Sequence, residues 1–557
     1  MIRRIIQFVS KEVRGLHEAA YLLGFFAILS SLLALVRDRV LAGQFGAGEM
    51  LDVYYTAFRI PDIMFFTIAM MVSVFVLVPH IAKHRDKEES HKLIGSVLLA
   101  FGIVMSVVAI VLWPLMPSIL EWSFPSIMSG VYRDELIAMS RIMLLQPILL
   151  GASNILASIT QIHGRYILYA TAPLLYNIGI ILGVIVFYPA FGLIGLVYGV
   201  LLGALAHMSL QIPFVWSLGF LRFNAFKLQI KETLQIIKIS LPRTVGMSAS
   251  HIAFFFLYSI ASGISSGAIA ILQLASNLQA APLNIIGSSY SVAAFPTLSK
   301  LFAEDKKEEF VANVTVALRH IIFWSLPIVA LFIILRAQIV RTVLGTGAFD
   351  WADTRLTAAV FALFMLALVL QGISLLLVRA YYAAGYTIRP FVINVLSAVF
   401  MVIAANFLTA AMSSNDVLRA FFEIILRVED LAGSSVLMLP LAFVLASVLN
   451  AGLLLIFFSR DFGKLDSNIH TTTVHAFVAS VALGVATYYS LELYAPMLPT
   501  HTALGIFTQG LFAGIVGILA WVVVLRVLRN AEFAEVLNTL HNRFIKKNVI
   551  SDVELTQ

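Results

Sequence analysis

The sequence predicts an all-α polytopic membrane protein with about fourteen transmembrane helices, and two observations lead to that fold class. The chain has 557 residues, of which 60% are hydrophobic and only 12% are charged, and its mean hydropathy is +0.95. A soluble domain carries roughly 25% charged residues, so this chain has too few charges to cover a surface in water. Its apolar residues also come in runs of about 20, the length that a helix needs to cross a bilayer.

The apolar runs follow one another with short gaps, which predicts one helical bundle without large soluble domains. Barrel strands are excluded because they are only about ten residues long and alternate in polarity. The first run follows a basic amphipathic stretch and lacks a small-residue cleavage site, so we interpret it as a retained helix. The runs cover approximately residues 19–36, 63–82, 93–117, 136–160, 167–188, 191–216, 239–262, 267–296, 318–340, 355–384, 388–412, 434–458, 472–494 and 502–527.

Several function classes are excluded by what the sequence lacks. Because the chain has no cysteine, disulfides, thiol catalysis and Cys-ligated metal sites are excluded. It has no Walker loop and no HExxH motif, and we expect a protein without a cofactor or metal rather than an enzyme. The formal net charge of +7 fits basic cytoplasmic loops, and no basic run with interleaved aromatic residues indicates a nucleic-acid partner.

The distribution of basic residues predicts the orientation of the chain. When alternate loops are assigned to opposite sides, 27 of the 37 Lys and Arg residues fall on the side of the N-terminus and 8 on the other. Loops rich in Lys and Arg stay in the cytoplasm. The sequence therefore predicts a membrane protein with both termini in the cytoplasm, in agreement with an even number of spans.

Short segments recur in the same order at an offset near 217 residues, which predicts a tandem repeat of six spans. An even number of spans gives both units the same orientation, as in the parallel repeats of secondary transporters. Glycines at 195, 199 and 203 are spaced four apart and predict close helix packing. The matching segments are 76–83 with 293–300, and Pro173 and Asn177 with Pro390 and Asn394.

The repeat and the span positions together predict the organisation of the chain into lobes and connecting segments. Two pseudo-symmetric six-helix lobes are followed by two C-terminal helices. The predicted parts are a cytoplasmic amphipathic segment at 1–18, an N-terminal lobe at 19–216, a cytoplasmic amphipathic linker at 217–238, a C-terminal lobe at 239–458, a hairpin of the last two spans at 459–528 and a cytoplasmic tail at 529–557.

Several motifs resemble those of a known family. Residues 30–48 contain an RD pair and an FGAG turn, residues 52–62 continue with an aspartate and a P-containing turn, and matching turns stand at 295–300 and 344–349. This pattern resembles the MurJ/MviN family of lipid II flippases in the multidrug/oligosaccharidyl-lipid/polysaccharide exporter superfamily, over essentially the whole chain. The resemblance implies outward movement of undecaprenyl-pyrophosphate-linked peptidoglycan precursor by alternating access, with cell-wall synthesis enzymes as partners.

The chain departs from the family where the family carries charge. Ser31 stands in place of a usual arginine, Phe65-Phe66 in place of a basic pair, and Ser276-Asn277 in place of a DR pair. Two alternatives therefore stay open beside lipid II transport. The chain could export another polyprenyl-linked oligosaccharide, or it could be a non-transporting membrane scaffold for envelope synthesis.

Basic residues in or near the spans are the first candidates for contacts with a substrate head group. An ionisable side chain in the bilayer costs about 2.5–3.5 kcal/mol on insertion scales, and Arg suits bidentate contact with phosphate. We expect Arg37, Arg59 and Arg243 to bind the head. Snorkelling and positive-inside flanking are the structural alternatives, and for Arg59 a local ion pair with Asp62 or Asp52 is another.

Polar and acidic residues complete the predicted site. Gln273 and Asn277 belong to a polar face of the eighth span, which is expected either to line the cavity or to form hydrogen bonds between helices. Asp38, Asp52 and Asp62 are expected to act as gate or pairing residues. Beyond Asp62 we expect no carboxylate deep in any span, which makes a cation-coupled drug exporter less favoured.

Overall fold

The computed structural model describes residues 16–69, 87–221, 229–466, 468–494 and 502–544, and within these ranges the chain is helical without a β-strand. The α-helices of the first half are α1 (Leu16–Phe45), α2 (Glu49–Ala57), α3 (Arg59–Thr67), α4 (Lys87–Ser123), α5 (Pro125–Met128), α6 (Arg133–Met143), α7 (Leu145–Ile162), α8 (Tyr166–Leu182), α9 (Tyr188–Phe191), α10 (Leu193–Ser209), α11 (Ile212–Ser217) and α12 (Ile230–Ser262). This part confirms the predicted all-α class.

The second half of the chain is also helical wherever it is described. Its α-helices are α13 (Ala268–Leu283), α14 (Ser289–Ala303), α15 (Lys307–Ile334), α16 (Arg336–Leu344), α17 (Trp351–Leu366), α18 (Leu368–Ala383), α19 (Ile388–Ser414), α20 (Asp416–Leu426), α21 (Met438–Asp461), α22 (Asn468–Tyr494), α23 (Ala503–Val527) and α24 (Ala531–Phe544). Shorter turns of other helix types are the π-helical Gly183–Phe187 and Asn284–Ser288 and the 3-10 turn Ser434–Leu437.

The described helices account for most of the predicted spans. Ten helical segments are long and apolar enough to cross a bilayer, and the number becomes eleven if α17 and α18, which are bent by 42° at their junction, form one span. The count of fourteen stays a prediction. The second predicted span, 63–82, and the repeat segment 76–83 fall largely or wholly outside the described residues, as do most of segment 1–18 and part of the linker 217–238.

Helix α1 continues well past its predicted end at residue 36. The Arg37-Asp38-Arg39 sequence does not end the helix, because Arg37 and Asp38 neutralise each other in an ion pair and none of the three residues breaks helical geometry. The helix ends instead at Gly46, which has a φ of +62° and donates its N–H to the carbonyl of Ala42 at 2.8 Å. Glycine adopts this left-handed conformation without a steric cost.

The turn after α1 contacts the turn before α17, so two of the motif segments lie together. The Ala348 N–H donates to the carbonyl of Gly43 at 2.8 Å, and the Ala47 N–H donates to the Asp353 carboxylate at 2.9 Å. A Cβ on Gly46 would lie 2.9 Å from the Ala348 carbonyl oxygen. The glycines of these turns are therefore needed for the close approach of two backbones.

The chain divides into two compact units, each built from three separate stretches. Unit 1 consists of 1–278, 343–360 and 387–446, and unit 2 of 279–342, 361–386 and 447–557. The division into six-helix lobes at 19–216 and 239–458 stays a prediction.

Within unit 1, helices α8 and α10 pack through facing glycines. A Cβ on Gly199 would lie only 2.3 Å from the Cα of Gly183, and one on Gly203 would lie 2.6 Å from the carbonyl oxygen of Tyr176. Contacts this short leave no room for a side chain, which confirms the close packing predicted from the spacing of the glycines. In lipid, such small residues let two helix backbones approach each other.

Within unit 2, helices α15, α22 and α23 pack on one another around an aromatic and aliphatic cluster. Helix α24, which follows the last span, adds Phe533 to this cluster. It also places Glu532 against Arg319 of α15, with 2.5 Å between their oxygen and nitrogen atoms. The cluster consists of Phe323, Ala479, Leu483, Trp521, Leu525 and Phe533.

Candidate functional site

A polar cavity of about 190 Å³ lies within unit 1, where α1, α2, α3, α8 and α13 meet. Since a water molecule takes about 30 Å³ in the liquid, the cavity has room for roughly six waters or for a charged group of comparable size. Most of the polar residues predicted from sequence line it. The lining residues are Arg37, Leu41, Tyr54, Tyr55, Phe58, Arg59, Asp62, Tyr176, Ile180, Gln273 and Asn277.

Arg37 is held by hydrogen bonds on one wall of this cavity, and two of its N–H groups have no partner among the described residues. Its Nε and Nη2 groups donate to Asp38 Oδ1 at 2.9 and 2.7 Å, and Nη1 donates to Asn177 Oδ1 at 3.0 Å. Guanidinium carries five N–H donors, so two remain unused by the described residues. The Arg37 side chain is 20% exposed and that of Asp38 is 4% exposed, which leaves the cation open to the cavity and its partner behind it.

A chain of amide hydrogen bonds connects this ion pair to the second arginine. Asn277 donates to Asp38 Oδ2 at 2.9 Å, and Gln273 donates to Asn277 Oδ1 at 2.7 Å. The Gln273 carbonyl oxygen in turn accepts from Arg59 Nη2 at 2.7 Å. Residues four apart on α13 thus link cations of α1 and α3, and both side chains predicted from the polar face of this helix belong to the same network.

Arg59 is buried on the opposite end of that chain. Its guanidinium lies over the ring of Tyr258, 3.5 Å from the ring centre, and Tyr258 donates its own O–H to Gln273 at 2.8 Å. The Nε of Arg59 has no hydrogen-bond partner in the described structure. Among the described residues Arg59 donates to Gln273, while its charge also acts on Asp62, so a local pair with Asp62 stays an open alternative.

The two remaining acidic candidates have different surroundings. Asp62 lines the cavity and accepts no hydrogen bond from the part of the chain that the structure describes. Asp52 is buried and accepts from the backbone N–H groups of Gly267 and Ala270, both at 2.7 Å, at the start of α13. An anion is stabilised at a helix N-terminus, so Asp52 anchors α13 to α2.

The expectation of no carboxylate deep in the bilayer beyond Asp62 stays a prediction, but two other carboxylates are buried inside the protein. Asp38 and Asp52 are both 3% exposed, and Asp38 lies inside α1 because that helix extends to Phe45. Sequence placed these residues in a loop because charges usually mark the end of a span. Here their charge is satisfied by an arginine, an asparagine and backbone N–H groups.

The position of one predicted side chain, that of Arg243, is not described. Several residues that line the cavity were not predicted from sequence. Arg243 belongs to α12, but its side chain lies outside the described residues. The unpredicted hydroxyl groups come from Tyr54, Tyr55 and Tyr176. Asn177, the partner of Arg37, was noticed only for its place in the repeat. Tyr54 and Tyr55 lie four to five residues before Arg59, about one helical turn away. This spacing could have indicated that their hydroxyl groups share the site of Arg59.

The unused guanidinium donors and the size of the cavity favour a small anionic group. The walls carry two arginines and one aspartate, and Asp38 compensates Arg37 from behind. Charge-assisted bonds from guanidinium to phosphate are short and strong, and a fork of two donors adds geometric specificity. Within the described ranges, no three His, Cys, Asp or Glu side chains gather as a metal site would require.

Comparisons with known proteins show which family the chain is similar to. A model of the family described as "Lipid II flippase MurJ" matches residues 41–508. The "Probable lipid II flippase MurJ" of Thermotoga maritima is 27% identical over 383 residues, covering 67% of this chain and 75% of that protein. The protein of the same description from Haemophilus influenzae is 25% identical over 543 residues, covering 94% of this chain and all of that protein.

Solved structures show the same fold. A lipid II flippase MurJ in an inward closed conformation superposes with a TM-score of 0.71 at 20% identity and covers 92% of this chain and 100% of that chain. An inward-facing multidrug resistance MATE transporter of the MOP superfamily gives a TM-score of 0.62 at 16% identity, covering 77% of this chain and 95% of that chain.

Proposed function

This chain belongs to the lipid II flippase MurJ family, and from that premise we propose that it moves lipid II from the cytoplasmic to the outer leaflet by alternating access. It is a multi-pass protein of the bacterial inner membrane. The substrate is a lipid-linked peptidoglycan precursor, an undecaprenyl pyrophosphate that carries a sugar-peptide. Its prenyl tail stays in lipid while the polar head passes through the protein.

The observation that carries this proposal is the pair of arginines on one small cavity. Arg37 offers two unused N–H donors, and Arg59 lies at the other end of the same hydrogen-bond chain. A diphosphate needs donors that can bind its oxygens in pairs, which guanidinium supplies. The cavity is large enough for a diphosphate but too small for the whole sugar-peptide, so this part of the site recognises the phosphates.

The amide chain has a positioning role in this mechanism. Asp38, Asn277 and Gln273 hold the two guanidinium groups at fixed places, so that little side-chain order has to be created when the anion binds. A preorganised site loses less conformational entropy on binding. The same residues keep a buried charge neutral when no substrate is present, because Asp38 compensates Arg37.

The orientation and the partners belong to the proposal as well. The excess of Lys and Arg in one set of loops favours both termini in the cytoplasm, with release of the precursor on the outer side. The enzymes that build it into the wall act on that side and are the partners we expect. Labelling of single cysteines by an impermeant reagent in intact cells tests the orientation, since the chain has no native cysteine.

Rescue of a bacterium depleted of its lipid II flippase tests the proposed transport. We expect the chain to restore growth and the Arg37→Gln variant to fail at equal membrane abundance. Arg133→Gln is the matched control, because Arg133 lies exposed at the start of α6 and, among the described residues, pairs only with Asp134 at 3.4 Å. If the unmodified chain inserts correctly into the membrane but does not restore growth, lipid II is not its substrate.

A second candidate is the export of another polyprenyl-linked oligosaccharide, because the cavity is assigned to the phosphates that both lipids share. Asp62 adds a negative charge to the cavity wall, and Asn277 contributes an amide rather than a cation. The cavity therefore holds a diphosphate with less positive charge than two arginines alone would supply. Binding of purified protein to lipid II and to undecaprenyl pyrophosphates with other sugars separates the candidates, since a clear preference for a different glycan would support the second.

A further inference from the structure

A short amphipathic helix stands between two spans of unit 1 with its apolar side uncovered. Helix α20 is eleven residues long and follows α19 after a single residue, Asn415. Its outward side chains recur at helical spacing, and Val417, Phe421 and Ile424 are 80%, 56% and 60% exposed. The complete stripe consists of Val417, Ala420, Phe421, Ile424 and Ile425.

On the polar side of α20, Glu423 is buried against unit 1, while Arg419 beside it stays half exposed. At the start of the helix, the Asn415 side chain accepts from the backbone N–H groups of Val417 and Leu418 at 3.0 and 3.1 Å. In its middle, the buried carboxylate of Glu423 accepts from Ser434 Oγ at 2.5 Å and from Arg419 Nε at 3.0 Å. An amphipathic helix in a water-facing loop buries its apolar side, whereas α20 buries a carboxylate and leaves its apolar stripe exposed.

The end of α20 is fixed by a second set of contacts. Arg355 donates to both carboxylate oxygens of Asp430 at 2.8 and 2.6 Å. Its Nη2 group also donates to the carbonyl of Arg427 at 2.5 Å, the residue that ends the helix in a left-handed conformation with a φ of +60°. Hydrogen bonds to Ser434 and Arg355 hold the middle and the end of α20. They therefore fix the direction in which the apolar stripe points.

The stripe on α20 continues the lipid-facing surface of the span before it. Helix α19 is one of the segments able to cross a bilayer. Its exposed residues lie along one side, as expected for a face in contact with acyl chains, and include Val392, Leu396, Ile403 and Phe407. Since only Asn415 separates the two helices, α20 begins where that surface reaches the edge of the membrane.

We propose that α20 lies in the interface between head groups and acyl chains, with its apolar stripe inserted into the leaflet at the C-terminal end of α19. This is the outer leaflet in the orientation proposed above. Helices with one strongly apolar side lie in this interface, with that side a few ångströms below the head groups. A lipid surface fits the stripe better than a protein, because protein interfaces have a polar rim and the stripe contains only aliphatic residues and one phenylalanine.

Spin labels on single cysteines test the insertion directly. The chain has no native cysteine, so Phe421→Cys and Ile424→Cys report only the chosen sites in liposomes of purified protein. Ile403→Cys on α19 serves as the reference in lipid. Asp134→Cys is the reference in water, because the Asp134 side chain is 91% exposed. The ratio of collisions with oxygen to collisions with a water-soluble nickel complex measures depth.

We expect the ratio at 421 and 424 to exceed that at 134 by about threefold or more and to stay below that at 403. Arg419→Cys, on the polar side, should give a ratio close to that at 134. Equal ratios at 421, 424 and 134 would show that the stripe faces water and would overturn the proposal. The same result is expected if a protein partner, absent from the liposomes, covers the stripe in cells. Because the labels probe five separate sites, the loss of one variant by misfolding leaves the others decisive. The result is independent of substrate, so it does not depend on lipid II transport.

Discussion

Each of the two units contains an arginine paired with a buried carboxylate, and the two pairs differ in what surrounds them. The arginines are equally covered, since Arg37 is 20% exposed and Arg319 is 22% exposed. Arg37 lines a polar cavity and is connected through amides to a second arginine. Arg319 instead shares Glu532 with Thr472, which donates to the same carboxylate oxygen at 2.6 Å, beside an aromatic cluster.

The difference shows that a charge inside a span is not by itself a sign of a binding site. The pair in unit 2 attaches the helix after the last span to the bundle. In unit 1 the cation keeps unused donors toward a cavity, and its neighbours keep both arginines in place. Buried pairs are poor evidence for stability in general, so each pair has to be tested by what its loss changes.

The largest expected effect is on stability and comes from unit 2. Replacing Glu532 by Ala leaves Arg319 and Thr472 without their partner, and removal of one member of a buried pair costs about 3–5 kcal/mol. We expect the low end, about 3 kcal/mol, because Arg319 retains some contact with solvent. Thermal unfolding of the purified protein measures the loss, and an unchanged midpoint would contradict a structural role for this pair.

The same pair predicts a dependence of stability on pH. Burial alone raises the pKa of Glu532, but hydrogen bonds from Thr472 and Arg319 outweigh it and hold the pKa below its ordinary value of 4.5. The carboxylate therefore stabilises the folded state above pH 4.5, and this contribution is lost as the pH falls through the lowered pKa. The drop in unfolding temperature between pH 7 and roughly pH 3.5 should be smaller in Glu532→Ala than in the unmodified protein.

The next effect is on substrate binding and comes from unit 1. Arg37→Gln removes the charge and most of the donors toward the cavity, and truncation of a buried charged partner costs about 2–5 kcal/mol. We expect at least about a 30-fold loss of affinity for an undecaprenyl diphosphate. Arg319→Gln is the matched comparison, since its folded fraction should bind with unchanged affinity. Equal losses in the two variants would remove the distinction between the pairs.

A smaller effect is expected from the amide chain. Gln273→Ala breaks the link between Asn277 and Arg59, and a lost partner in a buried network costs about 1–3 kcal/mol. Affinity should fall by roughly tenfold while the charge of the cavity stays the same. Gln273→Glu is informative beside it, because it keeps the acceptor for Arg59 but adds a negative charge. If Gln273→Ala binds as tightly as the unmodified protein, the network does not position the arginines.

The smallest effect has the opposite sign. Asp62→Asn removes a negative charge from the cavity wall, and two like charges near a protein surface repel by on the order of 1 kcal/mol. We expect a few-fold tighter binding of the diphosphate, measured by the same titration. Weaker binding in Asp62→Asn would mean that this carboxylate contacts the substrate rather than opposes it.

The sequence predicted the chemistry of the site better than its geometry. Arg37, Arg59, Gln273 and Asn277 were chosen because polar groups are costly in lipid, and all of them line one cavity. Asp52 was expected to be a gate or pairing residue, and its hydrogen bonds reach the start of α13, more than 200 residues away. Such a long-range partner has no signal in local composition.

Local patterns also missed features that depend on neighbouring helices. The end of α1 was placed too early, because the ion pair that lets charges continue a helix is visible only in three dimensions. The tyrosines of the cavity are apolar enough to pass as ordinary span residues. Helix α20 gave no strong span signal since it is only eleven residues long, and its direction depends on bonds from Arg355 and Ser434.

Binding of undecaprenyl diphosphate without a sugar to protein in lipid nanodiscs tests the central claim most directly. The unmodified protein should bind this lipid and discriminate against undecaprenyl monophosphate. The double variant Arg37→Gln, Arg59→Gln should lose at least about 100-fold in affinity together with that discrimination. If the folded double variant binds the diphosphate as the unmodified protein does, the arginines of the cavity do not recognise the head group.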